Sequence, residues 1–319
     1  MGGVLFLSRI YKKPDIPFNE KDRLDKMKVF GRIMLAFTFI WNHSLVKNER
    51  FSAIYRYIKF HFRYRNGQEC IIPFLEHSLL IKKGEGSQAH YYTYLADFEE
   101  MFFLLHYLNK DDRFIDVGAN IGAYSILAAG QIGCNTLSFE PSIQNHKLLK
   151  SNIQLNNLKN IIKTYNYALG EINKVSTIRF KGTMTYIVNN NTMNSQKVLI
   201  KKLDDFTDYG ELIKIDVEGY EEFVLKGATK VLKDLHTNAL IVELGGFRHN
   251  RYGSSNDKIH KILINNHFFP IKYNPYTRRI KKLKIYREDQ FNTIYIRDEK
   301  FVKNHLINSP KYKIGNQWI

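Results

Sequence analysis

The stretch RFIDVGANIGAYSILAA, which begins at Arg113, reads as a buried strand, a loop and the first turns of a helix. Two glycines, Gly118 and Gly122, occupy the loop where the strand ends. A strand that passes through such a loop into a helix allows a ligand to approach backbone N–H groups at the helix N-terminus. The stretch therefore predicts an α/β sheet with a ligand site at the carboxyl end of this strand.

Helix and strand patterns alternate with short connections from about residue 98 onward. The predicted order is DFEEMFFLLHYL (helix), RFIDVG (strand), AYSILAAGQIG (helix), NTLSFEP (strand), SIQNHKLLKSNIQLN (helix capped by its first residue, Ser142) and IIKTYNYALG (strand). The alternation resumes, strand first, with LIKIDVEG, YEEFVLKGATKVLK, ALIVELGG, DKIHKILINNH and FFPIKY. This order predicts a parallel sheet with helices on both faces.

Three segments depart from this alternation. VSTIRF and QKVLIKKL read as inserted antiparallel strands. FNTIYIRD follows a basic loop with no helix before it, so we expect it to enter the sheet through a hairpin as an antiparallel strand.

The part of the chain before residue 86 has a different character. Residues from about 17 to 66 have helical patterns, ECIIPFL and SLLIKK read as short strands, and the turn GEGS that begins at Gly84 marks a boundary. The apolar segment IMLAFTFIW is too short to span a bilayer and predicts a core helix. We therefore expect a basic, mainly helical extension over residues 1–85 and one catalytic domain over residues 86–319.

The net charge of +17 is concentrated at the two ends of the chain. Residues 1–66 carry 14 basic and 5 acidic side chains, and residues 251–319 carry 15 and 5. Basic ends indicate an anionic partner, such as a nucleic acid, a phosphate-bearing substrate or an acidic membrane surface. A composition rich in Lys, Asn and Ile, as AT-rich coding produces, is the alternative explanation.

The two cysteines, Cys70 and Cys134, have no paired spacing and no Cys/His cluster around them. This argues against a disulfide framework and against a zinc site. No segment has the long apolar run and cleavage site of a signal peptide. The sequence therefore predicts a cytoplasmic protein.

The loop after the first strand distinguishes two classes of cofactor. A dinucleotide-binding loop has the pattern G-x-G-x-x-G, which when aligned on Gly118 requires a second glycine at position 120. Asn120 stands there. Since the second glycine lets the backbone approach a pyrophosphate, its absence argues against NAD and favours a ligand without a phosphate, such as S-adenosylmethionine.

Glu140 ends the next strand, 24 residues after Asp116. An acidic side chain at this strand end can accept hydrogen bonds from both hydroxyls of a ribose. NAD and S-adenosylmethionine both contain a ribose, so Glu140 predicts a nucleoside ligand without choosing between them.

The segment LIKIDVEG carries three ionisable side chains at alternate positions, Lys214, Asp216 and Glu218. Alternate side chains of a strand point to one face, and α/β sheets bind ligands at the carboxyl ends of their strands. Strands inside a parallel sheet are normally apolar, so these groups are costly unless they are functional or paired.

Taken in order and spacing, several segments resemble the FkbM family of S-adenosylmethionine-dependent methyltransferases: FIDVGANIGAYSILA, LSFEP, NIQLNN, ALGE, LIKIDVEGYEEFVLKGA and IVELGG. The resemblance extends from about Tyr94 to Asp298, and the combination of DVGANIG with KIDVEG is its most specific part. It implies a class I, Rossmann-like methyltransferase fold with a seven-stranded, mostly parallel sheet whose last strand is antiparallel.

The resemblance also implies O-methylation of a hydroxyl, in many members on a sugar of a surface polysaccharide or a glycosylated product. It assigns Glu140 to the ribose and the segment from Asn166 to Ala168 to the adenine, with Asp216 as a further cofactor contact. ELGG departs from the expected ELNG at Gly245, so no role is carried over to that loop. The methionine side of the cofactor is assigned to Asp116, Gly118, Asn120 and Gly122.

A sugar hydroxyl needs a general base or a metal ion to become a nucleophile. Asp216 is the first candidate base, followed by Glu218 and by Glu243, which ends the fifth strand. These carboxylates could instead hold a divalent cation. Lys214 could pair with one of them, and a purely structural charge cluster is the alternative.

Three histidines are further candidate bases. His249 lies just beyond the fifth strand and is the strongest of them. His106 and His260 are weaker, because a histidine at helical spacing, such as His106 in FFLLHYL, more often belongs to a core.

The sequence thus predicts an O-methyltransferase for a sugar hydroxyl of a glycan, surface polysaccharide or glycolipid precursor. A nucleic-acid methyltransferase and a non-catalytic scaffold are the alternatives. YNPYT at Tyr273 resembles the Asn-Pro-Pro-Tyr motif of enzymes that methylate exocyclic amines, but it lacks the second proline. Cys134 precedes the second strand, which argues against a catalytic cysteine for base methylation. A nucleic-acid substrate is therefore the weaker hypothesis. The basic ends predict a cap, or a dock for an anionic carrier or the inner face of the membrane.

Overall fold

The structure, a computed structural model, describes residues 29–84, 86–181, 184–188, 195–244 and 248–319. Its centre is an eight-stranded sheet in the order β13-β12-β14-β11-β10-β3-β4-β5. The strands are β3 (Arg113–Val117), β4 (Asn135–Phe139), β5 (Ile162–Tyr165), β10 (Leu212–Ile215), β11 (Ala239–Glu243), β12 (Phe269–Asn274), β13 (Arg279–Lys282) and β14 (Asn292–Ile296). This is the class I methyltransferase fold.

The five strands from β5 to β11 are parallel, and β14 lies antiparallel between β11 and β12. The antiparallel last strand predicted from FNTIYIRD is therefore confirmed. The sheet has one strand more than the seven predicted, because the basic loop after β12 folds back as the edge strand β13.

Helices cover both faces of this sheet and bury two apolar clusters against it. They are α4 (Phe98–Tyr107), α5 (Ala123–Ile126, continued as a π-helical turn over Leu127–Ile132), α6 (Ile143–Leu155), α7 (Glu221–Lys226), α8 (Thr229–Lys233), α9 (Asn256–Asn265) and α10 (Glu299–Asn308). The hydroxyl of Ser142 accepts the N–H of Asn145 and caps α6, as the sequence predicted. Cys70 and Cys134 are buried thiols.

A second sheet of four strands lies beside the first, in the order β6-β9-β7-β8. Its strands are β6 (Ala168–Leu169), β7 (Lys174–Lys181), β8 (Met184–Val188) and β9 (Ser195–Lys201). β7 and β9 pair antiparallel, which confirms the inserted strands. The predicted strand IIKTYNYALG is divided, because its second half pairs with β9 instead of continuing β5.

The N-terminal region contributes α1 (Val29–Asn42), α2 (Arg50–Arg63), the hairpin β1 (Glu69–Phe74) and β2 (His77–Lys82), and α3 (Ala89–Thr93). The hairpin is fastened to α6 through Asn152 Oδ1, which accepts the N–H of Leu80 at 2.6 Å, and Asn156 Oδ1, which accepts the N–H of Ser78 at 2.9 Å. The predicted helix over residues 17–28 lies outside the described residues. A division of the chain at residue 85 stays a prediction.

The C-terminal hairpin, β15 (Lys313–Ile314) and β16 (Gln317–Trp318), returns to the N-terminal helices. The amide of Gln317 donates to the carbonyl of Leu45 at 2.6 Å. Across the described ranges, no helix has the length and apolar character needed to cross a bilayer.

Candidate active site

A cavity of about 360 Å³ opens at the carboxyl ends of β3, β4 and β10. The chain leaves β3 and β10, which are neighbours, toward opposite edges of the sheet, so the cavity lies at the topological switch point where open α/β sheets bind ligands. The residues predicted for the site that line it are Asp116, Gly118, Asn120, Glu140, Ala168, Lys214, Asp216 and Glu218. Those that do not line it are Gly122, Asn166, Glu243 and His249.

Gly118 is needed because another strand end approaches it closely. Its φ is +83°, and a Cβ added there would lie 1.9 Å from the carbonyl oxygen of Asp216. A side chain at this position would therefore separate the loop after β3 from the end of β10. Gly122 has a similar role toward α6, since a Cβ there would lie 2.4 Å from Leu149 Cδ1.

The N–H groups of this loop are used within the protein. Those of Gly118 and Ala119 donate to the carbonyl of Phe139 at 2.9 and 3.0 Å, and that of Asn120 donates to Glu140 Oε2 at 2.8 Å. These three groups therefore tie the loop to the end of β4, and a contact of the loop with a ligand stays a prediction.

Glu140 is nearly fully buried at the cavity wall. Its Oε2 accepts the N–H of Asn120, and its Oε1 accepts the N–H of Ser142 at 2.9 Å. Burial raises the pKa of this carboxyl to about 7. A carboxylate has about four acceptor positions, and the side chain of Asn145 also interacts with this one, so an acceptor position remains for a ligand hydroxyl.

Asp116 lies at the carboxyl end of β3, one residue before its last, and its side chain is almost completely buried. Its Oδ2 accepts the hydroxyl of Ser125 at 2.6 Å, whereas Oδ1 has no hydrogen-bond partner among the described residues. Burial raises the pKa of Asp116, although the charge of Lys214 opposes this. A buried carboxylate oxygen without a donor is costly, so a polar ligand group is the expected partner.

The segment predicted for the adenine has a divided role. Asn166 donates its amide to the carbonyls of Glu140 and Pro141 at 2.8 and 3.0 Å, so it fastens two strand ends instead of facing the cavity. Tyr167 and Ala168, which follow it, line the cavity wall.

Lys214 and Asp216 form an ion pair at the floor of the cavity, with 2.8 Å between Lys214 Nζ and Asp216 Oδ2. The Lys214 side chain is 5% exposed and that of Asp216 is 35% exposed. Burial lowers the pKa of Lys214, but the charges of Asp216 and Asp116 outweigh it and raise the pKa above its usual value. Burial raises the pKa of Asp216, but Lys214 outweighs it and keeps the pKa below its usual range, so Asp216 is a weak proton acceptor.

Glu218 lies beyond the end of β10, which stops at Ile215. Its φ of +59° belongs to a turn, so the prediction that Lys214, Asp216 and Glu218 alternate along one strand is wrong at its last member. Arg248 lies 2.9 Å from Glu218 Oε2 and also pairs with Glu243. Burial raises the pKa of Glu218 to about 7 and that of Glu243 well above its usual value.

His249 is buried behind this turn, with its Nδ1 3.0 Å from Glu221 Oε2. The other oxygen of Glu221 accepts the N–H groups of Val217 and Gly219 at 3.0 and 3.2 Å. The pair therefore braces the turn that carries Glu218. The residues from Gly245 to Phe247, where ELGG departs from the family pattern, lie outside the described residues.

The other two histidines are structural. His106 Nδ1 lies 2.6 Å from the hydroxyl of Tyr273, and His260 Nδ1 lies 2.9 Å from that of Tyr295. Neither lines the cavity, and the YNPYT motif at Tyr273 is likewise away from it. Over the described ranges, no group of three or more His, Cys, Asp or Glu side chains is arranged to hold a metal ion, which leaves the predicted divalent cation without support.

Sequence reasoning missed three residues of this region. Asp97 lines the cavity and accepts the hydroxyl of Tyr124 at 2.9 Å, and Tyr124 lines it too. Burial raises the pKa of Asp97. Arg248 pairs with both Glu218 and Glu243. No sequence pattern predicts it, because its distance along the chain from the end of β11 follows no known motif. An acidic residue just before a helix, as in ADFEE, was the one available signal for Asp97.

The model of the methyltransferase FkbM domain matches residues 116–270, which contain this site from β3 through β11. This segment, just under half of the chain, is similar to the FkbM methyltransferase domain. The hexuronic acid methyltransferase AglP of Haloferax volcanii is 30% identical to this chain over 151 residues, which cover 44% of this chain and 59% of that protein. The chain thus spans about three fifths of the length of this curated relative.

Two solved structures match this chain over most of its length. A methyltransferase FkbM from Methylobacillus flagellatus is 17% identical, with a TM-score of 0.39, and the match covers 65% of this chain and 52% of that one. TYW2 of P. horikoshii, solved in complex with MeSAdo, is 14% identical, with a TM-score of 0.40 and coverages of 73% and 71%.

Proposed function

We propose that this protein is an S-adenosylmethionine-dependent O-methyltransferase that acts on a sugar hydroxyl of a glycan, surface polysaccharide or glycolipid precursor. The observation that carries the proposal is the cavity at the switch point of the sheet, in which Asp116, Glu140 and Asp216 meet. The similarity to the FkbM methyltransferase domain supports methyl transfer, and the similarity to a hexuronic acid methyltransferase supports a sugar acceptor.

The residues of the cavity fit S-adenosylmethionine. Glu140 keeps acceptor capacity for a ribose hydroxyl, and the unpartnered Oδ1 of Asp116 suits a donor on the methionine part. Tyr167 and Ala168 offer a flat, apolar wall for a base. The volume of about 360 Å³ lies within the range of small-molecule sites.

When bound, S-adenosylmethionine supplies a methyl group on a positively charged sulfur. The protein has to hold the acceptor hydroxyl in line with that methyl group and remove its proton. We assign proton removal to Glu218, whose pKa of about 7 suits a general base at neutral pH. Asp216, held ionised by Lys214, is assigned to positioning.

Calorimetric titration tests the cofactor. We expect S-adenosylmethionine to bind and NAD not to bind, and we expect Asp116→Asn and Glu140→Gln each to weaken binding by about tenfold or more. Asp111→Asn and Glu171→Gln are matched controls, because both side chains are exposed and outside the cavity. A folded wild type that binds neither cofactor would favour the non-catalytic scaffold.

The acceptor class is tested by incubating the protein and S-adenosylmethionine with glycan, glycolipid and RNA fractions. We expect a mass gain of one methyl group on a sugar in the first two fractions. Methylation confined to RNA would contradict the proposal and favour the nucleic-acid alternative.

A further inference from the structure

Helix α2 exposes a continuous apolar face. Phe51, Tyr55, Ile58 and Phe62 are all exposed, and Phe51 and Phe62 reach 79% and 88%. Their spacing of four, three and four residues places them on one side of an α-helix. We call these four residues the α2 stripe.

The opposite side of α2 packs against the protein. The stripe is therefore the outer side of the helix. Ala53 and Phe60 are buried, and Phe60 lies against Tyr92 of α3 with 6.4 Å between ring centroids. Arg56 donates to the carbonyl of Tyr92 at 2.9 Å and pairs with Glu49. The helix is therefore fixed to the protein while its stripe points to solvent.

The apolar surface continues onto the end of α1. Trp41, which is also exposed, meets Phe51 edge to face with 5.9 Å between ring centroids. The guanidinium of Arg50 lies 4.9 Å from the Trp41 ring, and its Nε donates to the carbonyl of Trp41 at 2.8 Å. Aromatic rings and a cation are thus held together at one end of the stripe.

The surroundings of the stripe are strongly basic. Residues 29–68 contain seven Lys and Arg side chains and one acidic side chain, Glu49, which Arg56 already engages. Lys59 and Arg63 flank the stripe, are exposed and form no ion pair with any described residue. The stripe is therefore apolar at its centre and cationic at its margins.

We propose that the α2 stripe, together with Trp41, docks onto an anionic lipid bilayer. Helices with aromatic side chains on one face and Lys or Arg beside them lie in the plane of the bilayer interface. Rings enter the boundary between headgroups and acyl chains, and nearby cations are attracted to anionic headgroups. The apolar centre and the charged margin of this surface match the two layers of a bilayer interface.

The docking surface is linked to the cavity through α3. Tyr92 of this short helix packs against α2, while His90 of the same helix lines the cavity. Docking would therefore place the cavity beside the membrane, where a lipid-borne substrate is concentrated.

Flotation with lipid vesicles tests the surface on the full chain. We expect binding to vesicles of phosphatidylcholine with phosphatidylglycerol and little binding to phosphatidylcholine alone. The double variant Phe51→Ser, Phe62→Ser should weaken binding by about tenfold or more, because two rings lose their apolar burial. The control Leu235→Ser, Ile307→Ser removes two side chains that are 79% and 66% exposed elsewhere and should bind as the wild type does.

The charge contribution is tested separately. Lys59→Glu with Arg63→Glu should weaken binding to the anionic vesicles and reduce its dependence on salt. Lys281→Glu with Lys284→Glu makes the same change in net charge at an exposed site of β13 and the loop after it, and should have a small effect.

Several results would overturn the proposal. The first is that the folded wild type does not bind vesicles, and the second is that it binds both kinds of vesicle equally. The third is that the stripe variant (Phe51→Ser, Phe62→Ser) and its control lose the same amount of vesicle binding. Sedimentation showing that the stripe variant dissociates a dimer would assign the surface to a second copy of the chain, and RNA binding that the stripe variant abolishes would assign it to nucleic acid. S-adenosylmethionine titration of the stripe variant serves as the folding control, so that failure of docking is distinguished from failure of the cofactor site.

Discussion

At the scale of single residues, the site is built as much by contacts between strand ends as by groups that face a ligand. Gly118 makes room for the carbonyl of Asp216, and the N–H groups that follow it are bonded to the end of β4. Glu140 holds this loop while keeping an acceptor position free. A substitution at these positions is therefore expected to move several cavity walls together.

Gly118→Ala should weaken S-adenosylmethionine binding by about tenfold or more and lower the melting temperature, because the new methyl group would overlap the Asp216 carbonyl. Calorimetry and thermal unfolding measure the two effects. Gly67→Ala is the matched control, since Gly67 has a φ of +77° and nothing within 4 Å of an added Cβ. Similar losses in both variants would attribute the effect to backbone strain alone.

Glu218 should determine the pH dependence of methyl transfer. Its pKa is raised to about 7, and a base works only when deprotonated, so kcat/KM should rise with pH through about 7 and level off above it. Glu218→Gln should lower the rate by about 100-fold or more and remove that rise. A pH profile that is unchanged in Glu218→Gln would exclude Glu218 as the base.

At the scale of elements, the hairpin β1–β2 is held to the methyltransferase sheet by the polar side chains of α6. Asn152 is fully buried, accepts the N–H of Leu80 and donates to the carbonyls of Leu80 and Ile121 at 3.1 and 2.8 Å. The hairpin therefore shares its stability with the domain that contains the cavity.

Asn152→Ala should lower the free energy of unfolding by about 2–4 kcal/mol, since it leaves two part-buried backbone groups of Leu80 and the buried carbonyl of Ile121 without their partner. Urea unfolding measures this loss, and Asn160→Ala at an exposed position should change little. If residues 69–82 unfolded in a separate transition in the wild type, the coupling argued from these hydrogen bonds would be absent.

The order and type of most elements could be predicted from sequence, because strand and helix periods are local properties of the chain. Ser142 as a cap residue predicted where α6 begins. The segment FNTIYIRD predicted a last strand that is antiparallel to its neighbour. The division of IIKTYNYALG could not be predicted, since it depends on the pairing of Ala168 with Ile200, which lies 32 residues later in β9.

The candidate site was predictable to a similar degree and for the same reason. Asp116, Glu140 and Asp216 follow recognisable strands, so the topology alone brings them together. The turn at Glu218 and the cation of Arg248 are set by tertiary contacts that leave no periodic signal. Asn166 illustrates the limit of resemblance, because its place in the pattern does not reveal that its amide holds two strand ends.

At the scale of the whole molecule, the two basic regions that are farthest apart in sequence meet in space. Gln317 donates to the carbonyl of Leu45, and Tyr276 donates to that of Ser44 at 3.0 Å. Ile314 and Ile319 are buried in the same apolar cluster as Leu45. The C-terminal hairpin thus closes the layer formed by α1 and α2.

Gln317→Ala should lower the free energy of unfolding by about 1 kcal/mol, because the Leu45 carbonyl loses its donor. Urea unfolding measures the change, and Gln290→Ala, at an exposed position, is the control. We also expect faster proteolysis of the segment between α1 and α2. Unchanged stability and proteolysis would mean that the buried isoleucines hold the hairpin without this hydrogen bond.

This contact between distant segments has a consequence for biosynthesis. Leu45 emerges from the ribosome 272 residues before Gln317. At about 5–20 residues per second, Leu45 and its apolar neighbours stay uncovered for tens of seconds before the C-terminal hairpin can bury them. During that interval the nascent chain presents its apolar surface without its final support, which makes early capture by chaperones the expected fate of this protein in the cell.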